Sequence, residues 1–427
     1  MRGTIPHLEW RQFIKFTSKK RETSKNQEIA FFGHFDGTNF GNECTFQAIL
    51  YYLRSIEPNI QITCISDGHE KPAANYGITT VPISYIKSRS AGGSVLVKAI
   101  RGLPSEFYGW IRGFFTLRHI HTLIVPGTGL LTDAYGLRGW GPYNSFKWSI
   151  LAKICGCKLL YVSVGAGPFY STLGRFFVKS ALSLADFRSY RDNSTKRYLE
   201  SIGFPGNKDP VYPDLAFSLP TRMLKQQHST EETTRPVVGI GLMVYAEKYS
   251  VPDPKPETEQ SYVDILERFT RWLIEQESDV RILIGDLADL ETKQKFKNLL
   301  NATLQESDCD HIIDEPILSV ESLLSQIAKT EFVVATRFHN VLLALLCNKP
   351  VIAISFHHKC ESLMAAMGLS EYCLDINSLN IEILIEKFCK LRANADELKL
   401  VIGENAERFR HELDEQYKII FRGIPIS

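Results

Sequence analysis

The sequence is short of bias, of long apolar runs and of compact nucleotide or metal signatures. Across 427 residues, 49 Lys and Arg stand against 48 Asp and Glu, a net charge of +1. A chain devoted to nucleic acid normally carries a basic excess, so that class of partner is excluded. No stretch reaches the 18 or so uncharged apolar residues of a membrane span. The most apolar region, 332–356, is broken by Arg337, His339, Asn340, Asn348, Lys349 and Pro350. The first residues, MRGTIPHLEWRQFIKF, lack the apolar core of an export signal. Nine cysteines, odd in number and scattered, fit no disulfide framework, so reduced thiols in a cytoplasm are expected. No G-x-x-x-x-G-K-[ST], H-E-x-x-H or G-x-S-x-G occurs. A dinucleotide fingerprint fails twice, because Tyr170 and Val244 stand where a third glycine belongs. Cys155-Gly-Cys157 has no second pair nearby, so no metal site is expected.

What the sequence has is alternation. Apolar runs at 28–35, 61–66, 121–127, 158–165 and 187–191 alternate with helical patterns at 43–56, 144–155, 172–185 and 193–202. The second half repeats this, with strands expected at 237–245, 281–286, 311–314, 332–337, 351–356 and 372–376. Strands alternating with helices predict an α/β fold: two Rossmann-like, doubly wound parallel-sheet domains facing a cleft. The expected organisation is a basic extension at 1–25, an N-terminal Rossmann-like domain at 26–219, a linker at 220–236 and a C-terminal Rossmann-like domain at 237–427. The final helical stretch is a candidate to cross back to the first domain.

Ligands in such folds bind at the C-terminal ends of strands. Glycines cluster there: Gly33, Gly37 and Gly41, then Gly127 and Gly129, Gly165 and Gly167, Gly239 and Gly241. Each cluster alone reads as a tight turn. Together they predict a cleft wall stripped of side chains, open to backbone N–H groups. Thr336-Arg337-Phe338-His339-Asn340 falls at a strand-to-helix junction on this cleft. There Arg337 can grip a carboxylate or phosphate with two hydrogen bonds, and His339 can exchange a proton near neutrality. Two readings stand side by side: this anion site, or an arginine paired to a carboxylate with a histidine capping its helix. Arg191 is placed at a strand end in the other domain, as a second cation, with Asp192 or Asn193 capping the next helix. Lys359 either adds charge to the cleft or caps a surface helix.

Seven blocks run in order along about residues 30–365: Gly37-Thr-Asn-Phe-Gly41-Asn-Glu43, LIVPGTGLL, VSVGAGP, SYRDNSTKRYLESIG, YPDLAFSL, VVGIGL and TRFHNVLLALLCNKPVIAISFHHK. In this order they resemble the polysaccharide pyruvyltransferase family. The resemblance implies a GT-B architecture and transfer of pyruvyl from phosphoenolpyruvate to sugar hydroxyls as a ketal, with no cofactor beyond that co-substrate. It implies that Arg337 binds phosphoenolpyruvate, with Phe338, Lys359 and the second cation Arg191, and that His339 is the general acid. Gly41, Asn42 and Glu43 fall on the acceptor side with the glycine-lined cleft. Family members often have G-D-E there; Asn42 cannot serve as a base, which leaves Glu43 as the alternative. The implied acceptor is a glycan or lipid-linked saccharide. A glycosyltransferase or sugar-nucleotide epimerase of the same fold, and a non-catalytic glycan-binding protein, are the competing readings.

Two basic patches hide in the neutral total. Residues 1–25 hold seven cations against two acids, and residues 84–121 hold six against Glu106. The second interleaves Phe107, Tyr108, Trp110, Phe114 and Phe115. Such a mixture suits peripheral contact with an anionic membrane. A buried aromatic helix with a solvated basic face is the plainer expectation.

Overall fold

The computed structural model describes residues 28–68, 76–84, 95–133, 141–225, 235–244, 256–356 and 358–422, with backbone alone at 95–103 and 256–259. The basic stretch 1–25 and residues 226–234 of the expected linker lie outside the described residues. The first sheet comprises β1 (Ile29–Phe32), β2 (Ile62–Ile65), β3 (Thr79–Val81), β4 (Thr122–Pro126), β5 (Lys158–Val164) and β6 (Phe187–Tyr190). Between and after them come α1 (Phe40–Ile56), α2 (Val95–Leu117), α3 (Gly141–Ile154), α4 (Thr172–Leu184), α5 (Asn193–Ser201) and the short α6 (Thr221–Lys225). The second sheet comprises β7 (Val237–Leu242), β8 (Asp279–Ile284), β9 (Ile312–Ile313), β10 (Phe332–Ala335), β11 (Val351–Ser355) and β12 (Cys373–Asp375). Its helices are α7 (Pro256–Glu275), α8 (Leu290–Thr303), α9 (Glu306–Cys309), α10 (Val320–Ala328), α11 (Phe338–Leu346), α12 (His358–Ala366), α13 (Ile381–Ala393) and α14 (Ala395–Ile420).

Strand order is β3-β2-β1-β4-β5-β6 in one sheet and β12-β11-β10-β7-β8-β9 in the other, and every described strand pair is parallel. Counted from its own first strand, each sheet has the same doubly wound order. Each therefore reverses direction once, between β1 and β4 and between β7 and β10, and such switch points open a crevice at the strand ends. The alternation within β1 explains the layering. Ile29 and Phe31 point to one face and Ala30 and Phe32 to the other. The first face is continuous with the core of the second domain, and the second forms a separate core beneath α2, α3 and α4.

The domains meet along a backbone seam. Phe40 N donates to Gly285 O at 3.1 Å, Leu287 N donates to Thr38 O at 2.9 Å, and Asn39 Nδ2 reaches Asp286 at 2.8 Å. Helix α14 crosses back to the first domain. Buried Gln416 accepts from Ser189 at 2.6 Å and donates to Ser163 at 3.0 Å, and Tyr417 packs on Tyr52. Residues 221–225 of the expected linker form α6 rather than an irregular chain.

The aromatic patch is where expectation and structure part most clearly. Phe107 is 70% exposed, Phe115 49% and Phe114 39%. Gly113 turns inward instead, and the space where its Cβ would stand is bounded by Leu151 and Trp148. The buried aromatic helix is thus overturned: α2 buries its small residues and presents its rings outward. Among the described residues no helix is long and apolar enough to cross a membrane.

Candidate functional site

A cavity of about 180 Å³ opens where the two switch points face each other. Its wall is drawn from strand ends of both sheets: Gly127, Thr128 and Gly129 after β4, Gly165 and Gly167 after β5, Arg191 after β6, Met243 after β7, and Arg337 to His339 after β10. Asn39 and Asn42 enter from the start of α1, and Phe356 and Lys359 from the β11–α12 junction. The sequence expectation that Arg191 and Arg337 converge from different domains is therefore met in space.

Arg337 is the N-cap of α11 and makes no capping bond with its side chain. The guanidinium turns instead to Asp289, with Nε to Oδ2 at 2.6 Å and Nη2 to Oδ1 at 2.5 Å. Asp289 also accepts from Val244 N at 3.0 Å and Gly285 N at 3.3 Å. Burial raises its pKa, and the Arg337 charge and the hydrogen bonds from Arg337 and Val244 limit the rise. Nη1 of Arg337 lies 3.6 Å from Asp286, the residue that Asn39 reaches across the domain seam. The two-bond grip expected for a ligand is thus spent on Asp289. Arg337 faces the cavity as a fixed charge whose forked edge is already committed.

Arg191 is held differently. Nη1 meets Asp214 at 3.3 Å, Nε lies 3.6 Å from Asp192, and the guanidinium stands 4.9 Å over the Phe338 ring. Asp192 also caps α5, accepting from Thr195 N at 2.6 Å. Phe338 therefore serves as a platform for the cation. Lys359, at the start of α12, has its pKa lowered to about 7 by burial and then by Arg191.

His339 does not cap its helix. Its ring packs against Gly41, and its Nε2 is shielded from solvent without a hydrogen-bond partner. Burial lowers its pKa to about 4, with Arg191, Arg337 and Lys359 adding to the effect and Asp214 opposing it. At neutral pH this leaves the imidazole uncharged. It sits beside Arg191, Arg337 and Lys359, the last about half protonated at that pH and more so with an anion next to it.

The sequence profile of the polysaccharide pyruvyl transferase family matches residues 39–358, which span every element of this cavity except the Lys359 and Cys360 positions. The chain belongs to that family. It is a transferase acting in polysaccharide pyruvylation. It is 20% identical over 301 residues to the amylovoran biosynthesis protein AmsJ of Erwinia amylovora, covering 69% of this chain and 71% of that one. Among solved structures it resembles UDP-GlcNAc 2-epimerase of Neisseria meningitidis, at TM-score 0.56 and 11% identity, covering 91% of this chain and all of that one. It also resembles α,α-trehalose 6-phosphate synthase of Burkholderia multivorans, at TM-score 0.53 and 10% identity over 94% of this chain. At such identities these likenesses show the two-domain GT-B fold alone.

As a pyruvyl transferase fold, the cleft uses its glycines in a way the sequence did not reveal. They do not simply bare the wall for a ligand. A Cβ on Gly165 would stand 2.7 Å from Arg191 Nε, one on Gly127 would stand 2.2 Å from Ser163 O, and one on Gly167 would stand 2.2 Å from the Tyr198 ring. Gly41 does not line the cavity; a Cβ there would stand 1.8 Å from His339 Nδ1. These positions make room for the functional side chains and for the backbone behind them. Glu43 is also displaced from its expected place. It is buried away from the cavity, accepting from Tyr76 at 2.8 Å, so the base role left to it by Asn42 is withdrawn. Asn42 does line the cavity. Asn39, Asp214, Asp286 and Asp289 went unread as site residues. Asn39 and Asp214 lie inside blocks of the family pattern, and that was the available signal.

Gly41→Ala is expected to leave a folded protein with His339 displaced and turnover lowered about 100-fold, because an ångström of misplacement at a reacting group has that effect. Steady-state kinetics beside a thermal melt check this. Unchanged turnover means the ring position is immaterial.

Proposed function

We propose that the chain transfers pyruvyl from phosphoenolpyruvate to two hydroxyls of a glycan or lipid-linked saccharide, at the cytoplasmic side of a membrane. The observation that carries this is the cluster of Arg191, Arg337 and Lys359 around the unpartnered Nε2 of His339 in a small cavity. Phosphoenolpyruvate is compact and places a phosphate and a carboxylate close together, so it needs several cations in a small volume. A volume of about 180 Å³ beside these cations suits so compact a donor.

The chemistry follows from the groups present. A proton from His339 to the methylene carbon makes the methyl group and leaves positive character on the central carbon. One sugar hydroxyl adds there and passes its proton to the His339 imidazole, which has just given one up. The C–O bond to phosphate then breaks, phosphate leaves with the bonding pair beside the cations, and the second hydroxyl adds and yields its proton to that phosphate as the ketal closes. No redox step occurs. A second cavity of about 400 Å³ shares Arg191, Phe338 and Lys359 as its wall, which gives space for an acceptor next to the donor.

Incubation with phosphoenolpyruvate and a panel of free and lipid-linked glycans, followed by phosphate release and product mass, tests the reading. A pyruvyl ketal is expected. Turnover only with nucleotide sugars would replace the donor, and no turnover with any donor would leave a glycan-binding protein.

A further inference from the structure

The outward face of α2 is built against the habit of soluble helices. Gly109, Gly113 and Leu117 are buried, while Phe107, Tyr108, Ile111, Phe114 and Phe115 point to solvent. The apolar surface continues across α3. Phe146 packs against Phe176 at 6.1 Å and Phe177 at 5.1 Å on α4, where Phe176 is 55% exposed and Leu173 is exposed beside it. Clustered exposed rings of this extent mark a covered surface.

Charge identifies the cover. The three helices contain seven Lys and Arg against the single acid Glu106; of the seven, Lys147 is buried and Lys153 is paired with Asp186. Glu106 is itself tied to buried Lys147 at 3.0 Å, so it offers the surface no repelling charge. Arg112, Arg118 and Arg175 are exposed among the rings, and Arg118 stands 4.9 Å from the Phe115 ring. A second copy of so cationic a face would be repelled, whereas anionic headgroups match it and the rings enter the interfacial layer. Position matters too. Gly165, Gly167 and Pro168 line the cavity, and the chain runs from there through exposed Tyr170 into α4. The edge of the apolar face adjoins the cavity mouth.

We infer that the α2–α3–α4 face docks the enzyme on an anionic lipid surface, so that a lipid-borne acceptor is presented to the cavity. The docking stands on its own geometry, and only the identity of the presented acceptor rests on the proposed reaction. Flotation with phosphatidylglycerol–phosphatidylcholine vesicles, against phosphatidylcholine alone, tests it without donor or turnover. The full chain is expected to float with the anionic vesicles at low salt and to be released at high salt. Phe107→Ser/Phe115→Ser/Phe176→Ser and, separately, Arg112→Glu/Arg118→Glu are each expected to lower partitioning at least roughly tenfold. Both retain residues 1–25, so the change reports the helical face alone. Their melting temperature and their turnover of a water-soluble acceptor are expected to match the parent. Failure of the parent to float, or equal flotation of both variants, overturns the inference. So does a dimer in sedimentation that the phenylalanine variant dissolves, which would assign the face to self-association. Flotation without phosphoenolpyruvate turnover would instead sink the reaction and leave the docking in place.

Discussion

Replacing His339 by glutamine is expected to lower turnover by a factor of about 10²–10⁴, the range that a positioned proton donor contributes. The structure makes this more than a residue count, because the ring is neutral before the donor arrives. Burial and three cations hold its pKa at about 4. An acid that is unprotonated at pH 7 must acquire its proton in the complex. Burial is the larger cause of the depression and persists in the complex, but a phosphate and a carboxylate placed among Arg191, Arg337 and Lys359 would offset the charge-based part and set negative charge beside the ring, so binding itself helps to arm the acid. The pH dependence follows. With the protonated ring required, kcat falls as pH rises through the pKa of the bound state, which lies above that of the empty site. The limb of kcat is therefore expected at higher pH than 4. A limb unmoved from the empty-site value would refute the coupling.

Stability gives an independent reading of the same group. In the unfolded chain the imidazole titrates near 6.5, and in the folded chain near 4. Between those values the unfolded chain binds the proton and the folded one does not. The contribution is complete above pH 6.5 and is lost as pH falls toward 4, by at most about 3–4 kcal/mol. His339→Gln removes that slope. Chemical denaturation of parent and variant at pH 7 and near pH 4.5 is expected to show the parent losing more.

How much of this was legible beforehand varies with the physics that wrote each feature. Strands buried on both faces, such as β7, β10 and β11, are continuous apolar runs and declare themselves. β3 does not: Thr79–Val81 is three residues long, sits at a sheet edge and pairs with β2 alone. Helix α8, LETKQKFKNLLNAT, buries few large side chains and shows little periodicity. For α2 the pattern was visible but its direction was not. Apolar spacing reports that one face is withdrawn from water, and it is silent on whether protein or lipid withdraws it. The site divides along the same line. Arg191, Arg337, His339 and Lys359 stand at strand ends, and topology alone carries strand ends to the cleft. Asp289 lies 48 positions from Arg337, at the end of a single 3-10 turn that carries no motif, and only the fold brings the two together.

Asp289 therefore carries the second large effect. Asp289→Ala is expected to destabilise the protein by about 3–5 kcal/mol, the cost of leaving one partner of a buried ion pair alone. For a domain of this size that lowers the melting temperature by roughly 10 °C. The carboxylate is fully buried and has no solvent to replace it, and its loss also frees two backbone donors, at Val244 and Gly285. Turnover should fall as well, because Arg337 then has no rigid anchor and its charge no longer points at one place in the cavity. These two effects separate in a double variant. Asp289→Leu/Arg337→Met removes both charges and fills much of the same volume, so it is expected to regain part of the lost stability, the share due to the Val244 and Gly285 donors staying lost. It also removes a cavity cation, so its turnover stays low and its KM for phosphoenolpyruvate rises. Melting curves and donor kinetics on the parent, the single variant and the double variant decide the matter. If the double variant regains turnover along with stability, Arg337 is a structural arginine, and Arg191 and Lys359 alone must hold the donor.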